Sequence, residues 1–225
     1  MKIAMIGGGG VGQTLATGLL AKGHEVVIGI RNPQAAELAK ARPQGDTLEA
    51  WVAKTGGKVT DYASAAKGAE VIFNVTPGQH SLEALRAAGA DNLAGKVLVD
   101  VANPLDFSQG MPPFLDPVFT GATSLAEQIQ AEFPQARVVK AFNTVAAAVM
   151  VTPGLIPGEH DLFLSGNDAA AKEVVRGIAK GFGWTRFEDL GEIVGARAQE
   201  TVLPVWVRLW MVGGTHLVNL RVVRA

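Results

Sequence analysis

The first twelve residues set an apolar run, Ile3-Ala4-Met5-Ile6, directly against Gly7-Gly8-Gly9-Gly10-Val11-Gly12, a G-x-G-x-x-G turn that opens a helix. Few chain starts restrict the fold as strongly. In such a turn Gly7 permits the tight bend, Gly9 lets the backbone approach a pyrophosphate with no Cβ between them, and Gly12 lets helix pack closely on strand. The helix expected over 11–21 aims its unpaired N–H groups and positive dipole end at the same point. With 27 glycines in 225 residues the motif alone would arise by chance, so its context decides. Leu15, Leu19 and Leu20 give the next segment a helical stripe, Gly23-His24 ends it, and Glu25-Val26-Val27-Ile28-Gly29 reads as a second strand. A glycine-rich turn without a ligand is the plainer alternative, and the complete strand–helix–strand unit argues against it.

Further strand signals recur at 58–60, 70–75, 96–101, 136–142 and 161–165, with helical segments between them. This alternation predicts an α/β protein of Rossmann type, a doubly wound parallel sheet with helices on both faces. The runs Val71-Ile72-Phe73 and Val97-Leu98-Val99 are continuously apolar, as strands covered on both sides should be. We expect a dinucleotide-binding domain over 1–150 and, over 151–225, a strand and a small C-terminal helical part. Two stretches interrupt the rhythm. Residues 41–58 insert a short helix carrying Trp51, which either caps a core edge or faces a site. Residues 103–123 hold four prolines and start at the carboxyl end of a strand, where ligands of open α/β sheets bind, so they read as a lid or substrate wall.

A helix from Asp168 to Ala179 is followed by a final long helix starting near Glu192, with Val202, Val205, Trp206, Leu209 and Trp210 on overlapping apolar faces. That much aromatic surface predicts a homodimer with these residues and the 217–223 tail at its interface, burial within one chain being the alternative. Net charge is −1 and the basic residues are scattered, which argues against nucleic acid. The 202–218 run contains Pro204 and Arg208, so it reads as a buried or interface helix and no membrane partner is expected. The apolar N-terminus reads as strand and helix, not as a leader. Absence of cysteine excludes disulfides and thiolate chemistry and fits the cytoplasm, where we expect the protein to work. No metal cluster, Ser-His-Asp order or nucleophile elbow is legible, and no catalytic side chain is assigned.

Cofactor choice turns on the end of the second strand. A NAD site places a carboxylate there for the ribose hydroxyls, whereas this chain has Arg31-Asn32-Pro33. A guanidinium offers charge-assisted bonds to a 2′-phosphate, so the position argues for NADP(H). The other carboxyl-edge segments, Thr76-Pro77-Gly78-Gln79-His80 and Ala102-Asn103-Pro104, put small polar groups where the nicotinamide half should lie. His80 is either a general acid or a first-turn residue of the next helix beside the cofactor. The chemistry belongs to the cofactor, with the protein holding hydride donor and a small-molecule acceptor face to face.

The N-terminal segment with Gly23-His24-Glu25-Val26-Val27-Ile28-Gly29-Ile30-Arg31-Asn32-Pro33 resembles the NADP oxidoreductases dependent on the deazaflavin coenzyme F420, and the related reductase domain of the STEAP metalloreductases. Val99-Asp100-Val101-Ala102-Asn103-Pro104-Leu105, Val138-Val139-Lys140-Ala141-Phe142-Asn143-Thr144, Gly166-Asn167-Asp168 and Asp189-Leu190-Gly191 extend the resemblance over nearly the whole chain. It implies a dimer and direct hydride exchange between NADPH and the deazaflavin as co-substrate. By position it implies that Gly7, Gly9, Val11 and Gly12 bind pyrophosphate, that Arg31 and Asn32 bind the 2′-phosphate, and that Thr76, Pro77, Ala102, Asn103 and Asn143 line the nicotinamide side. Gly10 of the same turn and His80 of the same carboxyl-edge segment are further cofactor-binding candidates. The chain departs from the pattern at Ile30, where the family often carries a hydroxyl, and in the long loop around Met111-Pro112-Pro113. An imine or keto acid reductase and a non-catalytic NADP sensor are the competing readings.

Overall fold

The computed structural model describes residues 1–42 and 44–225. In chain order the elements of its first half are β1 (Lys2–Ile6), α1 (Gly10–Ala21), β2 (Glu25–Ile30), α2 (Ala35–Leu38), α3 (Leu48–Thr55), β3 (Lys58–Asp61), α4 (Tyr62–Gly68), β4 (Val71–Asn74), α5 (Ser81–Ala88), α6 (Ala90–Leu93) and β5 (Val97–Asp100). The hairpin β6 (Leu105–Asp106) and β7 (Phe114–Leu115) follows, then α7 (Leu125–Glu132), β8 (Arg137–Ala141), α8 (Ala147–Val151), β9 (Leu162–Gly166), α9 (Ala169–Phe182), β10 (Phe187–Asp189), α10 (Ala196–Thr201) and α11 (Leu203–Gly213). One eight-stranded sheet has the order β10-β9-β8-β5-β4-β1-β2-β3. The order reverses at β1, which lies between β2 and β4, and that reversal opens a crevice at the carboxyl edge.

Both faces of the sheet are covered, and the strands show why. In β1, Ile3 and Met5 join a core layer with Leu15 and Leu19 of α1 and Val175 of α9, while Ala4 and Ile6 join the opposite layer with Leu85 of α5 and Ile129 of α7. Successive side chains point to opposite faces, so a continuous apolar run is what a doubly covered strand requires. Trp51 belongs to the first layer, buried, with its indole Nε1 donating to Thr17 Oγ1 at 3.0 Å. Its helix is therefore core, not site.

The doubly wound Rossmann-type sheet is present and mostly parallel, with β9 running antiparallel to β8. The link between them, residues 142–161, carries the five-residue α8 and a single turn at Pro153–Leu155, and no helix that crosses the sheet. It turns back on the carboxyl edge instead, and α9 then supplies a regular crossover to a parallel β10. The final helix is broken: α10 ends at Thr201 and Pro204 sits in the first turn of α11, where a missing N–H is tolerated. The 217–223 tail packs on its own chain, with Asp161 N donating to Leu220 O and Trp206 Nε1 to Val218 O. On α11, Val205, Leu209, Met211 and Val212 remain exposed. Among the described residues no helix is long and apolar enough to cross a membrane.

Candidate functional site

A cavity of about 730 Å³ runs along the carboxyl edge over the switch point, within the range of small-molecule sites. Its floor is the glycine turn. Gly7 has φ +123, a conformation open to glycine, and a Cβ there would press on the Val75 carbonyl. A Cβ on Gly9 would meet nothing and would fill the cavity itself. One on Gly12 would collide with the Gly7 carbonyl. Each glycine thus does what the motif requires, with Gly7, Gly9, Gly10 and Val11 on the cavity wall and Gly12 behind it, at the contact of helix and turn. No side chain caps α1 and no acidic residue occupies its first turn, so its free N–H groups remain for an anion. This cradle fits a dinucleotide pyrophosphate.

At the β2 end the wall is formed by Arg31, Asn32, Glu37, Arg42 and Tyr62. Arg31 Nη2 lies 3.0 Å from Glu83 Oε1 on α5, both side chains largely in water. Arg42 Nη2 pairs with Glu37 Oε1 at 3.0 Å and donates to Glu37 O at 2.9 Å. Lys40 and Arg42 hold the Glu37 carboxyl below its ordinary range, the Lys40 hydrogen bond foremost.

At the β4–β5 end stand Thr76, Pro77, His80, Ala102, Asn103 and Phe107. The loops after β4 and β5 touch: Gly78 N donates to Asn103 O at 3.1 Å, and a Cβ on Gly78 would collide with that carbonyl. His80 is exposed at the turn that leads into α5, a helix-start residue that also lines the cavity. Asn143 does not reach the cavity. It is buried behind Asn103, its Nδ2 donating to Asn103 Oδ1 at 3.1 Å while Asn103 Nδ2 donates to Asn143 O at 2.8 Å. Just before it Phe142 is held at φ 65, a costly conformation for an aromatic residue, and this bend follows directly on the end of β8.

Beneath this end lies a buried polar network. The Lys140 ammonium bonds Asp100 Oδ2 at 2.8 Å, Glu200 Oε1 at 2.9 Å and Ala102 O at 2.5 Å, which uses all three of its hydrogens. Asn74 Nδ2 donates to Asp100 Oδ1 and Ser81 Oγ, and Thr76 Oγ1 donates to Asn74 Oδ1 at 2.7 Å. Glu200 also accepts from Leu125 N at 2.9 Å at the start of α7. Burial pulls the Lys140 ammonium down, but the Asp100 and Glu200 carboxylates outweigh it and raise it above the ordinary lysine range. Burial raises the Glu200 carboxyl against the pull of Lys140. Asp100 and Lys140 stood in the sequence only inside longer motifs. Their shared signal is a charged residue in an apolar strand, which demands a partner. Glu200, on α10, carries no such signal. Phe107 and Arg42 lay in the two interrupting stretches and carried no motif of their own.

Comparison with known proteins agrees with the geometry. The model of the family "NADP oxidoreductase coenzyme F420-dependent" matches residues 2–104. The F420-dependent NADP reductase of Methanocaldococcus jannaschii is 30% identical over 93% of this chain and 92% of its own length. The metalloreductase STEAP3 of Rattus norvegicus is 32% identical over 91% of this chain, which spans 38% of that protein. A crystal structure from Arthrobacter sp. FB24, provisionally described as an F420-dependent NADP reductase, shares 50% identity and a TM-score of 0.93 over the full length of both chains. An imine reductase from Myxococcus stipitatus, 20% identical with a TM-score of 0.66 over 95% of this chain and 63% of that one, shares the fold.

Proposed function

This chain belongs to the family of coenzyme F420-dependent NADP oxidoreductases, and we propose that it moves a hydride between NADPH and the flat ring of a deazaflavin or flavin-like acceptor. Bound NADPH supplies the hydride. The residues of the chain bind, orient and exclude water. In this reading Gly7, Gly9, Gly10 and Val11 hold the pyrophosphate, Arg31 and Asn32 the 2′-phosphate, and Thr76, Pro77, His80, Ala102 and Asn103 the nicotinamide side. Asn143 supports Asn103 from behind.

The observation that carries the reading is the contrast along one cavity. Its β2 end is lined by charged groups, whereas at the β4–β5 end His80 is the one titratable side chain among the described lining residues, with Phe107 beside it. A keto acid would need a cation for its carboxylate. The nearby lysine, Lys140, is buried with every hydrogen engaged, so it cannot serve. A neutral planar ring needs no such partner and gains by covering Phe107, which is 57% exposed. Close stacking of two flat rings also brings donor and acceptor carbons into reacting distance and keeps water out. The exposed apolar face of α11 suits a second copy of this chain, as in a homodimer working in the cytoplasm.

The test is NADPH oxidation with coenzyme F420, FMN and FAD in turn. Turnover with the deazaflavin is expected, and Phe107→Ala should raise the KM for the acceptor while leaving NADPH affinity as it was. No turnover with any of the three removes the reading.

A further inference from the structure

The 2′-phosphate subsite holds more than Arg31. Two guanidiniums, Arg31 from the end of β2 and Arg42 from the loop after α2, line the same end of the cavity. Tyr62 lines the wall beside them. The two cations thus share one end of the cavity, although they come from different segments.

Arg42 is held there by a fixed loop. Gln13 of α1, itself buried, donates to Asp46 O at 2.8 Å and accepts from Asp46 N at 3.0 Å. Gly45 N donates to Arg42 O at 3.3 Å, and the Gln44 carbonyl lies so close to α1 that a Cβ on Gly10 would strike it. The motif glycine at position 10 thus admits the loop that brings in the second arginine. Glu37 engages Arg42 through Nη2. The guanidinium lines the cavity and carries further N–H donors that Glu37 does not use, which can give a charge-assisted bond to an oxyanion there. The neighbouring Ile30 has no hydroxyl to share in the work.

We infer that Arg42 is a second 2′-phosphate ligand, gripping the phosphate from the loop side while Arg31 grips it from the strand side, and so a determinant of NADP over NAD. Glu37 keeps the guanidinium oriented through one nitrogen and leaves a donor free. This rests on the NADP reading of Arg31 and is independent of the acceptor.

The experiment is calorimetric titration of the whole chain with NADPH, NADH, 2′,5′-ADP and 5′-ADP, for the wild type, Arg31→Ala, Arg42→Ala and Arg42→Lys. Loss of one charge-assisted phosphate contact should weaken NADPH and 2′,5′-ADP about tenfold or more in Arg42→Ala, with NADH and 5′-ADP held within about twofold. Arg42→Lys should recover part of the loss, since a point charge replaces a fork. If Arg31→Ala discriminates against the 2′-phosphate and Arg42→Ala does not, Arg42 is no ligand and the inference fails while the NADP reading stands. If neither variant discriminates, the NADP reading itself fails. A drop in affinity for all four compounds alike would assign Arg42 to loop structure and overturn the inference. Equal melting temperatures of variant and wild type show that the loop change has not unfolded the chain.

Discussion

At the β2 end of the cavity the charges stand in water, Arg31 and Glu83 being 67% and 61% exposed, whereas at the β4–β5 end Lys140 and Asp100 are wholly buried behind the wall. Exposed ion pairs contribute about 0–1 kcal/mol and are readily exchanged, so the first end can release one carboxylate and accept a phosphate. Buried, fully bonded charges cannot rearrange at such low cost, so the second end arrives already shaped. Recognition of a charged handle and positioning of a reacting ring place opposite demands on a site. One cavity meets both by keeping its charges outside at one end and beneath the wall at the other.

The largest effect should come from the buried end. Lys140→Met leaves Asp100 and Glu200 without their shared cation and Ala102 O without its donor, and loss of one partner from such a cluster costs roughly 3–5 kcal/mol. Urea denaturation at neutral pH checks this. Affinity for 5′-ADP in variant that remains folded should stay near that of wild type, since that fragment uses the other end. A loss below about 1 kcal/mol would show that the network does not hold the wall.

A smaller and pH-dependent effect belongs to Glu200. Its folded-state carboxyl is raised above the ordinary glutamate range, burial being the main cause, so the folded chain keeps this proton more tightly than the unfolded chain. The contribution of that group to stability is then present below the ordinary glutamate range and is lost as pH rises through the folded-state value. Glutamine does not titrate, so the stability of wild type relative to Glu200→Gln should fall as pH rises from about 4.5. A relative stability of wild type that rises with pH would mean that Lys140 dominates over burial.

These unequal ends also explain what the residue order revealed. The switch-point crevice was legible, because β1, β4 and β5 are continuous apolar runs and the glycine turn has a fixed geometry. Arg31, Thr76, Pro77, His80, Ala102 and Asn103 were placed on the wall from strand ends alone. Asn143 lies at the expected edge, buried behind Asn103, a placement beyond the Phe142 bend that no local residue pattern marks. The direction of β9 was hidden for a similar reason: pairing direction depends on how the connecting link is routed, not on the apolar pattern within the strand. Arg42 was out of reach because its position depends on Gln13, some thirty residues earlier, clamping Asp46. Long-range polar contacts of this kind leave no local period in a sequence.

The smallest expected effect tests whether the exposed end is as exchangeable as its solvation suggests. Glu83 pairs with Arg31 across open solvent, and a 2′-phosphate bound by Arg31 would have to displace or share that contact. Glu83→Gln removes a competing anion, so NADPH should bind slightly more tightly, by less than about fivefold, the range of an exposed pair. NADH, which has no phosphate at that position, should change less. Added salt screens the same pair and the phosphate contact together, so the gain should fade as ionic strength rises toward about 1 M, where the screening length is about 3 Å. Titration of both nucleotides at low and high salt reads all of this in one series. Weaker NADPH binding in Glu83→Gln would mean that Glu83 orients Arg31 for the phosphate instead of competing with it, and the β2 end would then be pre-shaped like the other.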